Sequence, residues 1–392
     1  MKGIILTVRI AAVRISFALA SLLPLRSRVV LATAHAARIG GNLVSIRDDL
    51  AARHPEVHVV VLARRPSRGV RGRIAALGQA IEAGYHLATA RVFIVDDYFF
   101  PMYVIRPRDG TTFIQTWHAC GAFKKVGYSL HDKSFGADST LTERVRLHSN
   151  YDVCLVASEA SAPFYAEAFG QPLERFTSRL GIPRTDVFFG DERIARGVAA
   201  VRARYPLPAG RRVILYAPTF RGDTITDAHA TDDLDLRALK AVLGEDHVLL
   251  VRLHPFVRSQ TPIGPDLADF AIDVSDYPDI NELMLVSDVL VTDYSSAIYE
   301  FSLLGRPMVF FAPDYAAYEK ERGFYFDYRT GVPGPIFEET EPLAAYLRAG
   351  EFDLERVDRF RRASFDVADG GSATRVTDAL ILPSLTRAGD PR

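Results

Sequence analysis

Residues 287–311, SDVLVTDYSSAIYEFSLLGRPMVFF, leave the chain few folds to choose from. Val289, Leu290 and Val291 form a short apolar run, the pattern of a strand buried on both faces. Thr292 to Ser296 is a polar turn containing good helix N-cap residues. Ala297 to Leu304 reads as a helix that Gly305 ends, with Arg306 and Pro307 behind it. Met308 to Phe311 is a second buried strand. A strand–helix–strand crossover of this kind calls for a parallel sheet. It also puts Ser295 and Ser296 where a strand ends and a helix starts. That edge of an open sheet is where ligands bind, and a helix N-terminus suits a phosphate. Two serines alone are better explained as caps; the rest of the chain shifts the balance.

The same alternation runs on both sides of this stretch. Strands are expected at 28–33, 57–62, 91–95, 113–115 and 151–157, with helices over 43–52, 72–88 and 159–169. A polar helix at 193–204 is followed by Pro206, Pro208 and Gly210, which mark a domain boundary. A second alternation then begins, with strands at 213–216, 247–251 and 270–274. A chain of 392 residues is too long for one ordinary core. The expected architecture is α/β, with two doubly wound, Rossmann-like domains facing a central cleft. Residues 28–207 would form the first and 208–392 the second, including arginine-rich helices between Pro342 and Leu382.

Charge and cysteine content exclude several classes. A formal net charge of −1 gives no basic field for nucleic acid. Cys120 and Cys154 have no metal-ligand spacing and read as reduced thiols. Residues 4–23 are strongly apolar but contain Arg9 and Arg14. An arginine near the bilayer centre disfavours a spanning helix, and a signal peptide carries its charge ahead of its apolar core. Residues 1–27 are therefore expected as an amphipathic segment on an anionic membrane surface. The competing reading is a core helix of the first domain.

Four polar clusters sit at strand ends. In the first, His118 leaves a strand and enters a small-residue turn, where a general base has room to act. Lys124 and Lys125 close that cluster and suit an anionic substrate, although a lysine pair is commonly a solvated face. The second is Tyr216 to Arg221, whose arginine suits phosphate. The third is Arg252-Leu253-His254-Pro255 and the fourth Thr292 to Ser296. Three of the four lie at carboxyl ends of strands of one expected sheet, which favours a phosphate-bearing ligand over mere capping. Asp233-Leu234-Asp235 looks like a metal-binding triplet, but acidic residues at a helix start are ordinary.

The set WHACGAFKK (117–125), GIPRTD (181–186), YAPTFR (216–221), RLHP (252–255), DINELM (279–284) and TDYSSAIYEF (292–301) resembles the CDP-glycerol glycerophosphotransferase family of teichoic-acid synthesis. The motifs come in that family's order. His118 is followed by Ala119, where the family commonly has glycine. The resemblance implies a GT-B-type fold and peripheral attachment to the cytoplasmic face of the cell membrane. It implies transfer of a polyol phosphate from CDP-glycerol or CDP-ribitol to a lipid-linked saccharide acceptor. By the same resemblance His118 is the base, and Thr219, Arg221, His254, Asp279, Thr292, Ser295 and Ser296 form the donor set. Gly121, Lys124 and Lys125 fall to the acceptor or its phosphate.

The expected chemistry is in-line transfer. The acceptor hydroxyl loses its proton to His118 and attacks the β-phosphorus of the donor, and CMP leaves. Glycerol phosphate is the expected unit, with ribitol phosphate, a capsule polymerase or a nucleotide-sugar glycosyltransferase as alternatives. A membrane-surface scaffold is the non-enzymatic rival. No cofactor, metal ligand set or nucleic-acid partner is assigned, and metal dependence and oligomeric state stay open.

Overall fold

A computed structural model describes residues 2–34, 36–63, 69–130, 144–222, 228–230, 233–254, 257 and 263–386. The chain divides into two compact units. One comprises Met1–His118, Ala137–Asp186 and Asp366–Arg392, and the other Ala119–Gly136 and Val187–Phe365.

In the first unit, β1 (Arg26–Thr33), β2 (His58–Ala63), β3 (Ala90–Val95), β4 (Thr112–Gln115), β5 (Val153–Leu155) and β6 (Phe176–Thr177) form one parallel sheet, ordered β2-β1-β3-β4-β5-β6. Its centre is apolar because β1 and β3 are covered on both faces: Val29 to Ala32 and Val92 to Val95 are fully buried. The order reverses between β1 and β3, so the crevice at the carboxyl ends opens beside Thr33 and Val95.

Helix α1 (Lys2–Ala20) packs along a later helix of the same unit, after α2 (Gly41–Arg53) and labelled α3 (Gly69–Thr89). Gly84 permits this approach, since a Cβ there would lie 2.6 Å from the Val13 carbonyl oxygen and 2.9 Å from the Ser16 Cβ. Ser16 Oγ donates to the Ile81 carbonyl at 2.6 Å. Arg14 Nε donates to the Val104 carbonyl at 2.9 Å, and the Arg9 guanidinium lies 4.9 Å above the Phe100 ring. Residues 1–27 are thus no separate segment: α1 is a helix of the first unit, held by its arginines as well as by its buried Val13.

The C-terminal tail returns to the same unit. The helix Ser372–Val376 packs on α2, and the helix Leu382–Thr386 packs on β1 and β3. Asp186 caps the former by accepting from the Ser372 and Ala373 amides at 3.0 and 2.8 Å. This departs from the expected assignment of all of 208–392 to one domain. An arginine-rich tail gives no pattern in sequence that says which sheet its few apolar residues will cover.

In the second unit, β7 (Arg212–Tyr216), β8 (His247–Val251), β9 (Ala271–Asp273), β10 (Val289–Thr292), β11 (Met308–Phe311) and β12 (Ile336–Phe337) form a parallel sheet ordered β12-β11-β10-β7-β8-β9. Ile214, Leu249, Val291, Val309 and Phe270 are among the residues of its core. The order reverses between β7 and β10, bringing Tyr216 and Val291 into register. The crossover expected from 287–311 is therefore the element beside the crevice of this sheet. Its helix, Ala297–Ser302, ends two residues earlier than the pattern suggests.

Two further pieces join this unit against the expected boundary at 207. The polar helix Asp191–Arg204 packs on the helix Ile280–Leu285 through buried Gly197 and Val201. Ala119–Gly136 joins it through Phe123, which stacks among Phe324, Phe326 and Tyr328. The motif WHACGAFKK is thus shared, with His118 in the first unit and Ala119 onward in the second.

Candidate active site

His118 follows the carboxyl end of β4, and its side chain is 47% exposed. Its position depends on Trp117, which adopts a left-handed backbone with φ 52°. Such a conformation costs a bulky residue about 1–3 kcal/mol and persists only where surrounding groups hold it. Here they do. The Trp117 amide donates to Gln115 Oε1 at 2.8 Å, and Gln115 Nε2 donates to Tyr151 Oη at 2.8 Å and to the Asp97 carbonyl at 3.2 Å. Asn42 Nδ2 donates to the Trp117 and Thr116 carbonyls at 2.8 and 3.1 Å. Arg184 Nη1 donates to the His118 carbonyl.

The imidazole lies over the Trp117 ring, with centroids 4.3 Å apart. Nδ1 is 3.3 Å from the Asp96 carbonyl oxygen and 3.9 Å from the Asp97 carboxylate. A carbonyl oxygen only accepts, so this contact fits the tautomer with the proton on Nδ1. The Trp117 ring rests in an aromatic bed that includes Tyr98, Tyr165 and Phe169. His148 stacks on Phe169 at 4.0 Å, and burial pushes its imidazole down to about 3, so it stays neutral. The buried Tyr103 and Tyr151 hydroxyls share a hydrogen bond at 2.5 Å, and burial raises both phenols well above their ordinary range.

The second unit holds a denser knot beside the reversal of its sheet. Asp293 accepts from the Thr219 amide at 2.8 Å, from Thr219 Oγ1 at 3.0 Å and from the Tyr294 amide at 2.5 Å. Arg221 Nη2 bonds Asp293 at 3.0 Å and Asp314 at 3.1 Å, and Nε bonds Asp314 at 2.6 Å. Its Nη1 bonds the Thr219 carbonyl and hydroxyl at 2.9 and 3.0 Å. A guanidinium has five N–H groups, and all are used. Burial opposes the charge on Arg221, but the two aspartates outweigh it and raise its pKa. Burial likewise pushes the Asp314 carboxyl up, yet the Arg221 bonds and charge and the Tyr294 hydroxyl at 2.9 Å hold it below its ordinary value.

Several residues of the expected donor set therefore have work within the protein. Arg221 clamps two carboxylates, Thr219 donates to Asp293, and the buried Thr292 hydroxyl donates to the Ala217 carbonyl at 2.7 Å. Asp279 caps the helix Ile280–Leu285 by accepting from the Asn281 amide at 2.9 Å. Ser295 Oγ accepts from the Ala297 amide at 3.2 Å, while Ser296 makes no side-chain cap. Both serines and His254 are half-buried, with the His254 ring 4.8 Å from Phe220. Pro255 lies outside the described residues.

Gly121 is a packing position, since a Cβ there would overlap the Tyr299 ring. Lys124 pairs with Phe324 in a bridge and sits 5.9 Å from the Tyr318 ring, and the Lys125 amide donates to the Gly323 carbonyl at 3.2 Å. Asp235 caps the helix Leu236–Leu243, accepting from two amides at 2.8 and 3.1 Å, as the ordinary reading of Asp233-Leu234-Asp235 expects. Among the described residues no three His, Cys, Asp or Glu side chains are grouped to hold a metal ion.

Sequence reasoning gave no role to Asn42, Gln115, Asp293 or Asp314. A polar residue closing the apolar strand TFIQ and an aspartate between a buried strand and its capping serines were the available signals.

The chain is similar to known proteins over most of its length. The family model described as CDP-glycerol:poly(glycerophosphate) glycerophosphotransferase matches residues 15–382. A teichoic acid ribitol-phosphate primase of Bacillus spizizenii is 40% identical over 375 residues, covering 95% of each chain. A teichoic acid poly(ribitol-phosphate) polymerase of the same organism is 34% identical over 364 residues, covering 92% of this chain and 57% of that one. The solved structure of the wall teichoic acid polymerase TagF superposes with a TM-score of 0.78 at 25% identity, covering 94% of this chain and 93% of that one. With a matching GT-B-like pair of parallel sheets and a family match over most of its length, this chain belongs to the CDP-glycerol:poly(glycerophosphate) glycerophosphotransferase family.

Proposed function

We propose that the chain transfers one polyol phosphate unit from a CDP-activated polyol to a hydroxyl of a lipid-linked saccharide in teichoic acid synthesis. The observation that carries this reading is the His118 corner: a half-exposed imidazole with Nδ1 beside the Asp96 carbonyl, held at a strand end by a strained backbone. The acceptor hydroxyl gives its proton to His118 Nε2. Its oxygen then bonds to the β-phosphorus of the donor, and the bond to CMP breaks. His254, Ser295 and Ser296 bind the pyrophosphate in the second unit, while Thr219, Arg221 and Asp293 fix the turns that carry them.

Ribitol phosphate is the favoured unit, supported by the primase similar over 95% of each chain. The description of that relative as a primase also favours a single addition. Glycerol phosphate is the second reading, supported by the description of the matched family. The test is CMP release from CDP-ribitol and CDP-glycerol with a lipid-linked disaccharide, with product length read by mass spectrometry. His118→Ala should lower turnover about 10²–10⁴-fold without weakening donor binding. Wild-type turnover in the folded variant would remove His118 from the mechanism.

The acceptor side is the cytoplasmic face of the membrane in this reading. Along α1 and the turn after it, Ile4, Val8, Ile15, Leu19 and Leu22 are exposed, and Ile74 and Ile81 are exposed on α3. Arg9 and Arg14 are held by Phe100 and Val104, so this apolar stripe suits the interface of a bilayer rather than its span. Ile15→Glu with Leu19→Glu should abolish sedimentation with anionic liposomes and leave activity on a short-chain soluble acceptor intact. Undiminished sedimentation would rule out this face.

A further inference from the structure

We propose that Asn42 is the positioning residue of the His118 corner, an inference that rests on His118 as the base. Asn42 stands in the first turn of α2, directly after Gly41, and its side chain is buried. From there it reaches a different part of the chain, the two peptides just before His118. Its Nδ2 group uses both hydrogens on the Thr116 and Trp117 carbonyls, at 3.1 and 2.8 Å. Its Oδ1 accepts from the Arg184 amide at 2.8 Å. Arg184 in turn donates from Nη1 to the His118 carbonyl.

One amide side chain therefore ties three carbonyls in succession, two directly and the third through Arg184. A left-handed Trp117 points the Thr116 and Trp117 carbonyls in directions that an extended strand would not give. Only a group able to donate twice from one atom, while accepting at its other end, meets that arrangement. Asn and Gln are the side chains with that inventory, and Asn is the one short enough to act from the start of a helix. Gln115 secures the opposite side of the same peptide by accepting from the Trp117 amide. Without the clamp, Trp117 would relax toward an ordinary backbone and His118 would turn away from its place beside Asp96 and Asp97.

The reason for such a device is mechanical. The chain passes from one compact unit to the other immediately after His118. A base at that junction needs its backbone fixed from its own unit if it is to keep one geometry.

Asn42→Asp keeps the size and the accepting oxygen but replaces two donated hydrogen bonds by repulsion of two carbonyls. The expected result is a fall in kcat of about 10²-fold, the scale of an ångström-sized misplacement, with the KM for the CDP-polyol unchanged. Arg184→Met keeps the amide bond to Asn42 but removes the guanidinium, and with it the bond to the His118 carbonyl, and should give a smaller fall of the same kind; it decides the matter should Asn42→Asp not fold. Each change is then repeated in a His118→Ala background. If the clamp acts through His118, neither variant slows that protein further, because residues acting as a unit are not additive. A folded Asn42→Asp or Arg184→Met enzyme with wild-type kcat overturns the inference. So does an undiminished penalty in the His118→Ala background, which would mean a general structural role. A His118→Ala protein with full turnover refutes the base itself, a result read from that single variant, and removes the clamp's role with it.

Discussion

The corner at His118 and the turn at Asp293 occupy equivalent places, the carboxyl ends of parallel strands close to a reversal of strand order. They use buried polar groups in opposite ways. At the first, Asn42 and Gln115 hold a strained backbone so that one imidazole remains half exposed. At the second, Asp293, Arg221 and Asp314 satisfy one another until every guanidinium N–H is bonded. A saturated network stabilises, whereas a strained corner presents a reactive group at some expense of stability. Damage to the knot should therefore appear mainly as lost stability, and damage to the corner as lost rate.

The hardest test of that contrast is Asp293→Ala. It takes from Arg221 one of its two carboxylate partners and strands both donors of Thr219 and the Tyr294 amide, and breaking a buried pair on one side typically costs about 3–5 kcal/mol. Thermal unfolding should show a large drop, and an unchanged midpoint would mean the knot is not what holds these turns. His254→Ala sharpens the comparison from the other side. It should weaken binding of the CDP-polyol by roughly 1.5–3 kcal/mol in calorimetry while leaving the melting temperature near that of the parent. A stability loss with unaltered affinity would move His254 into the structural set.

Gly121→Ala asks whether the segment after His118 is fixed as firmly as the knot. The added Cβ would overlap the Tyr299 ring, an overpacking of the kind that costs about 1–3 kcal/mol. Equal stability in the variant would show that this loop yields readily. Only in acid does the last effect show, and it concerns the bed under Trp117. His148 has its pKa lowered from 6.5 to about 3 by burial, so the fold favours its neutral form. Its contribution is complete above about pH 6.5 and is lost as pH falls toward 3, by about 1.4 kcal/mol per pH unit. His148→Asn should flatten that part of the stability curve, measured by urea unfolding at several pH values. An identical acid slope would place the titration elsewhere.

Strand positions were legible because strands covered on both faces must be apolar throughout, as in VFIV (92–95) and HVLLV (247–251). The two-residue strands β6 and β12 were not, since two residues carry no period. Site motifs were legible as clusters, but not the division of labour inside them. Arg221 reads as a phosphate ligand until its five hydrogen bonds to Thr219, Asp293 and Asp314 are seen, and Thr219 and Thr292 read as exposed hydroxyls until their burial is seen.

By itself the sequence determined two parallel α/β sheets, the crossover at 287–311, His118 at a strand end and the order of the family's motifs. These are local matters: periodicity, caps and turns act over a few residues, and motifs keep their order along a chain. Only the tertiary structure decided which unit receives Ala119–Gly136 and the C-terminal tail, and that α1 is fastened through Arg9 and Arg14. It alone brought Asn42 onto the Trp117 carbonyl and Asp314 onto Arg221. These partners are 75 and 93 residues apart, and a hydrogen bond between groups so distant depends on the packing of whole elements, which no local pattern encodes.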